Sequence, residues 1–280
     1  MDELLSPKLD IVFKKLFTEN LDLLQHFVAS MLSIPMQEIT GIELTNPEML
    51  PDDPDTKFSR LDLRLSLATR QIDIEIQVKK MLGYADRALF YWAKLFTSDL
   101  KSGEEYFSLK QAISIHLVDF ILFEERKEAH TVVVPMIQGT EKIFSDKMVL
   151  HFFELRKVGK SENEKLSASM ALWLKFFNVK TTEDLAMFET DQVMHKASNV
   201  LRVMSDDDRM REAARMREKR LHDEASYLAD AKRTGEAEER TKWIQRMISK
   251  FKAGIMSLEV AADCADMSVA EFEALCEKAQ

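Results

Sequence analysis

Two acidic side chains on neighbouring strand-like runs are the residues of this chain best placed to do chemistry. Leu61, Leu63, Leu65 and Leu67 alternate with Asp62, Arg64 and Ser66, while Ile72, Ile74, Ile76 and Val78 alternate with Asp73, Glu75 and Gln77. A period of two marks both runs as half-buried strands. A hairpin centred on Ala68-Thr69 matches Leu61 with Ile76, Leu63 with Ile74 and Leu65 with Ile72. A slip of one residue would destroy every match, so the register is well specified. The same register sets Asp62 opposite Glu75, Arg64 opposite Asp73 and Arg60 opposite Gln77. Ala-Thr is a poor two-residue turn, and a four-residue loop, Leu67 to Arg70, is the alternative closure in that register.

Only the Asp62–Glu75 pair is repulsive. Like charges directly opposite on adjacent strands cost roughly 0.2–1 kcal/mol, and a divalent cation between them reverses the sign. A hard cation, Mg²⁺ or Mn²⁺, takes oxygen ligands from one or two carboxylates and keeps several waters, which leaves room for a phosphate and an attacking water. Gln77 adds a carbonyl oxygen or holds a water. The competing reading is a solvent-facing hairpin whose acids are balanced by Arg60, Arg64 and Lys79, and the alternation by itself leaves both open.

The elements around this hairpin follow from periodicity and breakers. Asp10 to Leu32 carries a helical period through Val12, Leu16, Leu23, Phe27 and Met31, closed by Pro35. Glu38 to Thr45 reads as a first strand, Asp86 to Leu100 as a helix with Gly103 beyond its end, and Ala112 to Phe123 as a mostly apolar strand from the middle of a sheet. Thr131 to Met136 and Met148 to Leu155 are further strands. Pro51-Asp52 and Pro54-Asp55 sit in a run of Asp, Pro and Thr and read as loop chemistry.

The chain has 280 residues, of which 46% are hydrophobic, enough for a substantial core in one or two domains. No apolar run reaches bilayer length and no secretory leader pattern opens the chain, so a soluble cytoplasmic protein without a membrane partner is expected. Two cysteines and six scattered histidines supply neither a disulfide framework nor a His/Cys metal site. A net charge of −9 opposes non-specific binding of nucleic acid along the whole surface. Binding would have to use a local basic strip, for which Arg60, Arg64, Arg70, Lys79, Lys80 and Arg87 are the candidates.

Several blocks follow one another in a recognisable order: Ser6 to Phe17 (SPKLDIVFKKLF), Arg60 to Arg64 (RLDLR), Ile74 to Gln77 (IEIQ), Arg87 to Trp92 (RALFYW) and Val118 to Phe120 (VDF). In these blocks the chain resembles the Rpn family of recombination-promoting nucleases, also described as putative transposases, of the PD-(D/E)XK nuclease superfamily. The resemblance implies an α/β (α+β) fold: a restriction-endonuclease-like PD-(D/E)XK core, a mixed sheet flanked by helices, with a helical C-terminal tail. It implies a Mg²⁺-dependent (or Mn²⁺-dependent) DNA endonuclease tied to recombination or mobile elements, with Asp62 and Glu75 as metal ligands and Asp62, Glu75 and Gln77 as the catalytic set. Where the superfamily usually has lysine two residues after the acid, this chain has Gln77, and a neutral amide cannot supply the lysine's charge to a developing phosphorane. Lys79 is a candidate substitute, or a solvated strand-end lysine. Asp10 is an auxiliary candidate because some nucleases of the superfamily bring an acid from the first helix to the metal. An ordinary helix-start acid or a pair with Lys14 is the alternative. Arg60, Arg64 and Arg87 are the DNA-contact candidates. Arg87 shares a helix face with Tyr91 and can equally pack that helix on the sheet.

The downstream half is helical and charged. Leu166 to Phe177 is rich in Leu, Trp and Phe and should pack back on the core. Ser205 to Asp208 reads as a helix start, Arg209 to Ala237 as a long solvated helix or connector, and Trp243 to Lys278 as three short helices punctuated by Gly254, Ser257 and a Ser268–Glu271 capping box. The expected division is a nuclease-like core over 1–160, a helical extension over 161–204, a charged helix or linker over 205–242 and a small helical module over 243–280. The last has a helix-turn-helix look, but Glu271, Glu273 and Glu277 would face phosphate, which favours protein interaction or homo-oligomerisation over DNA reading. Two alternatives therefore stand beside the endonuclease. One is a weak or inactive nuclease fold acting through its helical tail. The other is a transposase with an RNase H-like triad, for which Asp119 or Glu154 would be the third acid.

Overall fold

The computed structural model describes residues 3–39, 42–45, 63–98, 100, 103–160 and 166–278. The chain divides into two compact units, Met1–Arg215 and Met216–Gln280, and the division falls within one long helix.

In the first unit the strands β1 (Glu43–Thr45), β2 (Leu63–Ser66) and β3 (Arg70–Gln77) form an antiparallel meander. Helix α3 (Tyr84–Thr97) then carries the chain over to β4 (Gln111–Val118), which lies parallel to β3. Next come β5 (His130–Val133) and β6 (Met148–Glu154), giving the sheet order β1-β2-β3-β4-β6-β5. Helices α1 (Asp10–Thr18), α2 (Leu21–Leu32), α4 (Ala168–Phe176) and α5 (Gln192–Asp206) pack on one another. Phe13, Phe17, Phe27, Trp173, Phe176 and Phe177 close their interior with ring contacts at 4.9–6.4 Å. This is the mixed, helix-flanked sheet with a helical C-terminal region that the resemblance implies.

The hairpin register holds: Leu63 pairs with Ile74, Arg64 with Asp73 and Leu65 with Ile72, closed by Leu67 N–H donating to Arg70 O at 2.8 Å. Apolar matching across the strands fixes it, as the alternation requires. Several element boundaries move for local reasons. The first helical run is two helices, because Asn20 leaves helical backbone and its amide turns back to cap Leu16 O at 2.9 Å. The first strand is shorter than expected, since Pro35 starts a tight turn over Met36–Glu38 that Gln25 braces through the Met36 and Ile39 carbonyls. β4 stops at Val118 because the buried Glu154 carboxylate captures the N–H groups of Leu122 and Phe123 and turns the chain. β5 stops before Pro135, which has no N–H to donate. The helix start expected within Ser205–Asp208 is present, with Asp208 opening the next helix, while Ser205 and Asp206 still belong to the last turn of α5. Asp207 is the cap, accepting from Met210 N–H at 2.9 Å.

The second unit holds the greater part of α6 (Asp208–Lys252), followed by α7 (Leu258–Cys264) and α8 (Val269–Lys278). Its core consists of Met247, Ile248, Ala261, Ala262, Phe272 and Cys276. Gly254, at φ +67, lets Ile255 N–H reach back to Lys250 O and terminate α6. Ser257 caps α7, and Ser268 with Glu271 forms the capping box before α8, as the sequence indicates.

Candidate active site

β3 is buried on both faces, not one. Leu63 and Leu65 of β2 share one face with Ile72, Ile74 and Ile76. The other face carries Gln71, Asp73, Glu75 and Gln77, and the parallel pairing with β4 sets Asp73 beside Ser114 and Glu75 beside His116. Helix α3 covers this face, where Tyr84 and Ala88 join Val118, Phe120, Leu150 and Phe152 in an apolar wall. Gly83, in the left-handed conformation at φ +72, turns the chain into α3 and presents its carbonyl to Arg87 N–H, so the Arg87 side chain leaves the first turn toward the sheet.

Glu75, Asp73, Arg87, His116, Ser114 and the Tyr84 hydroxyl meet under that helix. Glu75 is 2% exposed, and its Oε1 accepts from Arg87 Nη2 at 2.5 Å. Its Oε2 lies 3.5 Å from His116 Nδ1, close enough for charge but too far for a good hydrogen bond. Burial pushes the Glu75 carboxyl up, but His116 and Arg87 outweigh it and hold the group below the usual carboxylate range. Asp73 is fully buried, and its Oδ1 accepts from Ser114 Oγ at 2.5 Å. Burial raises this carboxyl to about 6 against the opposing pull of His116 and Ser114. The His116 ring stacks on Phe152 at 4.7 Å, and its Nδ1 is 3.2 Å from the Tyr84 hydroxyl. Arg87 lies over the Tyr91 ring at 5.2 Å. Among the described residues, Asp73 Oδ2, Glu75 Oε2, Arg87 Nε and His116 Nε2 are buried without a hydrogen-bond partner. Such atoms are rare in folded proteins, and here they gather at one place, as a site that receives a ligand would have them.

Of the residues singled out from the sequence, Asp62 and Arg60 lie outside the described residues, as do Pro51-Asp52 and Pro54-Asp55. Glu75 and Gln77 stand on one face of β3 as the alternation requires. The solvent-facing hairpin is corrected: Glu75 is covered by α3, paired with Arg87 and set beside the His116 ring. Gln77 ends the strand, and its Nε2 donates to Lys79 O at 3.1 Å. Lys79 lies beyond the strand in an exposed bend rather than on the face of Glu75. Arg64 bonds Gln71 Oε1 at 2.9 Å and Ser98 Oγ, near the end of β3 remote from Gln77. Asp10 opens α1, its carboxylate accepting from Ile11 N–H at 2.9 Å. Among the acids of the triad alternative, Glu154 is spent on the backbone of Leu122 and Phe123 and on Lys157 Nζ at 2.7 Å. Asp119 pairs with Lys8 at 3.0 Å. Among the described residues no three His, Cys, Asp or Glu side chains form a metal cluster.

Asp73, Ser114, His116 and Tyr84 were not singled out by sequence reasoning. A signal existed, since Ser114 and His116 alternate inside an otherwise apolar strand at the spacing of Asp73 and Glu75. Recognising it requires knowing that β3 and β4 are neighbours.

No helix of the described chain is long and apolar enough to cross a membrane. Comparison with curated proteins and with solved structures yields no match. Residues 7–231, which include the whole candidate site and most of the first unit, match the family described as PD-(D/E)XK nuclease family transposase, and the chain belongs to that family.

Proposed function

We propose that this nuclease-fold protein is a divalent-metal-dependent DNA endonuclease in which Asp62 and Glu75 hold the cation and Gln77 orients the attacking water. The observation that carries the reading is Glu75 itself: a buried carboxylate at a strand position, held below the usual carboxylate range, whose buried Oε2 accepts no hydrogen bond from the described residues. The alternation in the sequence expects Asp62 opposite Glu75, and Asp62 itself lies outside the described residues. The donors are oxygens, the type that Mg²⁺ and Mn²⁺ prefer, so these residues fit the metal that such nucleases use. When bound, the cation lowers the pKa of a coordinated water and stabilises charge on the scissile phosphate.

The chain's own residues set the conditions for that chemistry. Arg87 fixes one Glu75 oxygen, and His116, anchored by Phe152 and Tyr84, faces the other, so the carboxylate is oriented before any ligand arrives. Gln77 is braced through its Nε2 on the Lys79 carbonyl, and in this reading its amide oxygen serves the attacking water. Arg87, bonded to Glu75, supplies positive charge at the site where a lysine stands in the wider superfamily. A second reading, a fold that has lost activity and acts through its helical tail, is favoured by the Arg87–Glu75 ion pair, which satisfies Glu75 without a metal. Supercoiled plasmid incubated with the purified chain and Mg²⁺, with and without EDTA, separates the two. Nicking that requires Mg²⁺ and is lost in Glu75→Ala and Asp62→Ala supports the endonuclease. Nicking that persists in both variants removes the chemistry from this site, and no nicking by the unaltered chain favours the second reading.

A further inference from the structure

We propose that Leu82, at the tip of the basic loop between β3 and α3, is an apolar wedge that inserts into duplex DNA and unstacks a base step beside the scissile phosphate. This inference rests on the endonuclease reading of the preceding subsection.

The loop runs Val78-Lys79-Lys80-Met81-Leu82-Gly83, and Leu82 lies five residues past Gln77. Its side chain is 107% exposed, the most exposed of the large hydrophobic residues in the described chain, and its neighbour Met81 is 45% exposed. Leaving a leucine in water forgoes the burial that a folded chain ordinarily gains from it. The tip is nevertheless held in place. Gln77 Nε2 bonds the Lys79 carbonyl at 3.1 Å, Arg87 Nη1 bonds Met81 Sδ at 3.5 Å, and Gly83 makes the left-handed turn into α3. The same Arg87 guanidinium bonds Glu75, so one side chain ties the loop to the candidate catalytic acid.

The flanking charge selects the partner. Lys79 and Lys80 are exposed on the ascending limb of the loop, and Lys80 makes a long, solvated contact with Glu124 at 3.7 Å. An apolar tip beside cations is an arrangement by which proteins grip phosphates and drive Leu, Met or Phe between base steps, kinking the duplex. A protein partner bound through hydrophobic contact alone would have no use for the lysines. For a nuclease, local unstacking opens the backbone next to the reacting phosphate.

The test uses the full chain with Ca²⁺ in place of Mg²⁺ and short duplexes carrying 2-aminopurine at successive positions. Binding is followed by anisotropy and unstacking by 2-aminopurine fluorescence. The unaltered chain should bind and raise the fluorescence severalfold at one or more positions. Leu82→Ala should abolish the rise while weakening binding by no more than about tenfold, and Leu82→Phe should keep it. Lys79→Ala and Lys80→Ala should each reduce the salt slope of binding by about one without changing the fluorescence per bound duplex. Circular dichroism melting should be the same for all variants. Binding without a fluorescence rise, or a rise undiminished in Leu82→Ala, overturns the wedge. Either result leaves the endonuclease standing if Glu75-dependent plasmid nicking persists. A chain that neither binds nor nicks duplex DNA overturns both.

Discussion

The two faces of the sheet both bury titratable side chains, and they do so in opposite ways. On the face under α3, Asp73 and Glu75 sit among His116, Arg87 and Ser114, charge is retained, and four polar atoms have no hydrogen-bond partner among the described residues. On the other face, at the β5–β6 edge, His130 and His151 bond one another at 3.0 Å, and His130 stacks on Phe153 at 4.3 Å. Burial lowers both of these histidines to about 4, so near neutral pH they are an uncharged pair. Burial alone therefore does not mark a site. What distinguishes the α3 face is ionised groups held at the expense of solvation with acceptor capacity left over, a state a fold retains where a ligand or reaction uses it. The histidine pair has met its needs internally and reads as packing.

The contrast can be broken most directly at Glu75. Glu75→Gln keeps shape and loses charge, and should cut Mg²⁺-dependent nicking by roughly 100-fold or more, the scale of losing a major electrostatic contributor to a transition state. His151→Phe should leave nicking unchanged, and a comparable loss there would erase the distinction. Next in size is Arg87→Met, which leaves a buried carboxylate without its cation and should cost about 3 kcal/mol in urea unfolding. Combining it with Glu75→Gln should recover more than half of that loss. A fully additive double variant would mean that the two side chains do not act as a pair.

The pH dependence sharpens the other side. Both histidines have folded values near 4 against an ordinary 6.5, so as pH falls through 6.5 the unfolded chain takes up protons that the folded chain refuses. Their contribution is complete above about 6.5 and drains away toward 4, by on the order of 2–3 kcal/mol for the more buried His151. His151→Phe should flatten that slope in urea midpoints measured across the window. An unchanged slope would mean that its source lies elsewhere. The smallest effect expected is that of Ser114→Ala, which strips Asp73 Oδ1 of its donor and should cost about 1–2 kcal/mol. A neutral result would show that water replaces the hydroxyl.

Much of the fold was legible because its signals are local. The alternation of Leu63, Leu65, Ile72 and Ile74 gave the hairpin register, and Ser257 and the Ser268–Glu271 box gave the helix starts of the tail. Boundaries were misjudged where a distant or tertiary contact intervened. Glu154 ends β4 from across the chain, and no periodicity within 112–123 encodes that. The candidate site was half legible for the same reason. Glu75 and Gln77 stood out from spacing and resemblance, whereas Ser114 is 41 residues from the Asp73 it bonds.

By itself the sequence determined which residues alternate, how the two hairpin strands align, where helices are capped and to which family the chain belongs. Local sterics, side-chain periodicity and short-range capping suffice for these. Only the tertiary structure decided that the polar face of β3 lies beneath α3, with His116 beside Glu75 and Arg87 upon it. That outcome depends on which strand becomes the neighbour and which helix covers the sheet. Both are settled by burying apolar surface across the whole unit, not by any property of the segment that carries the acids.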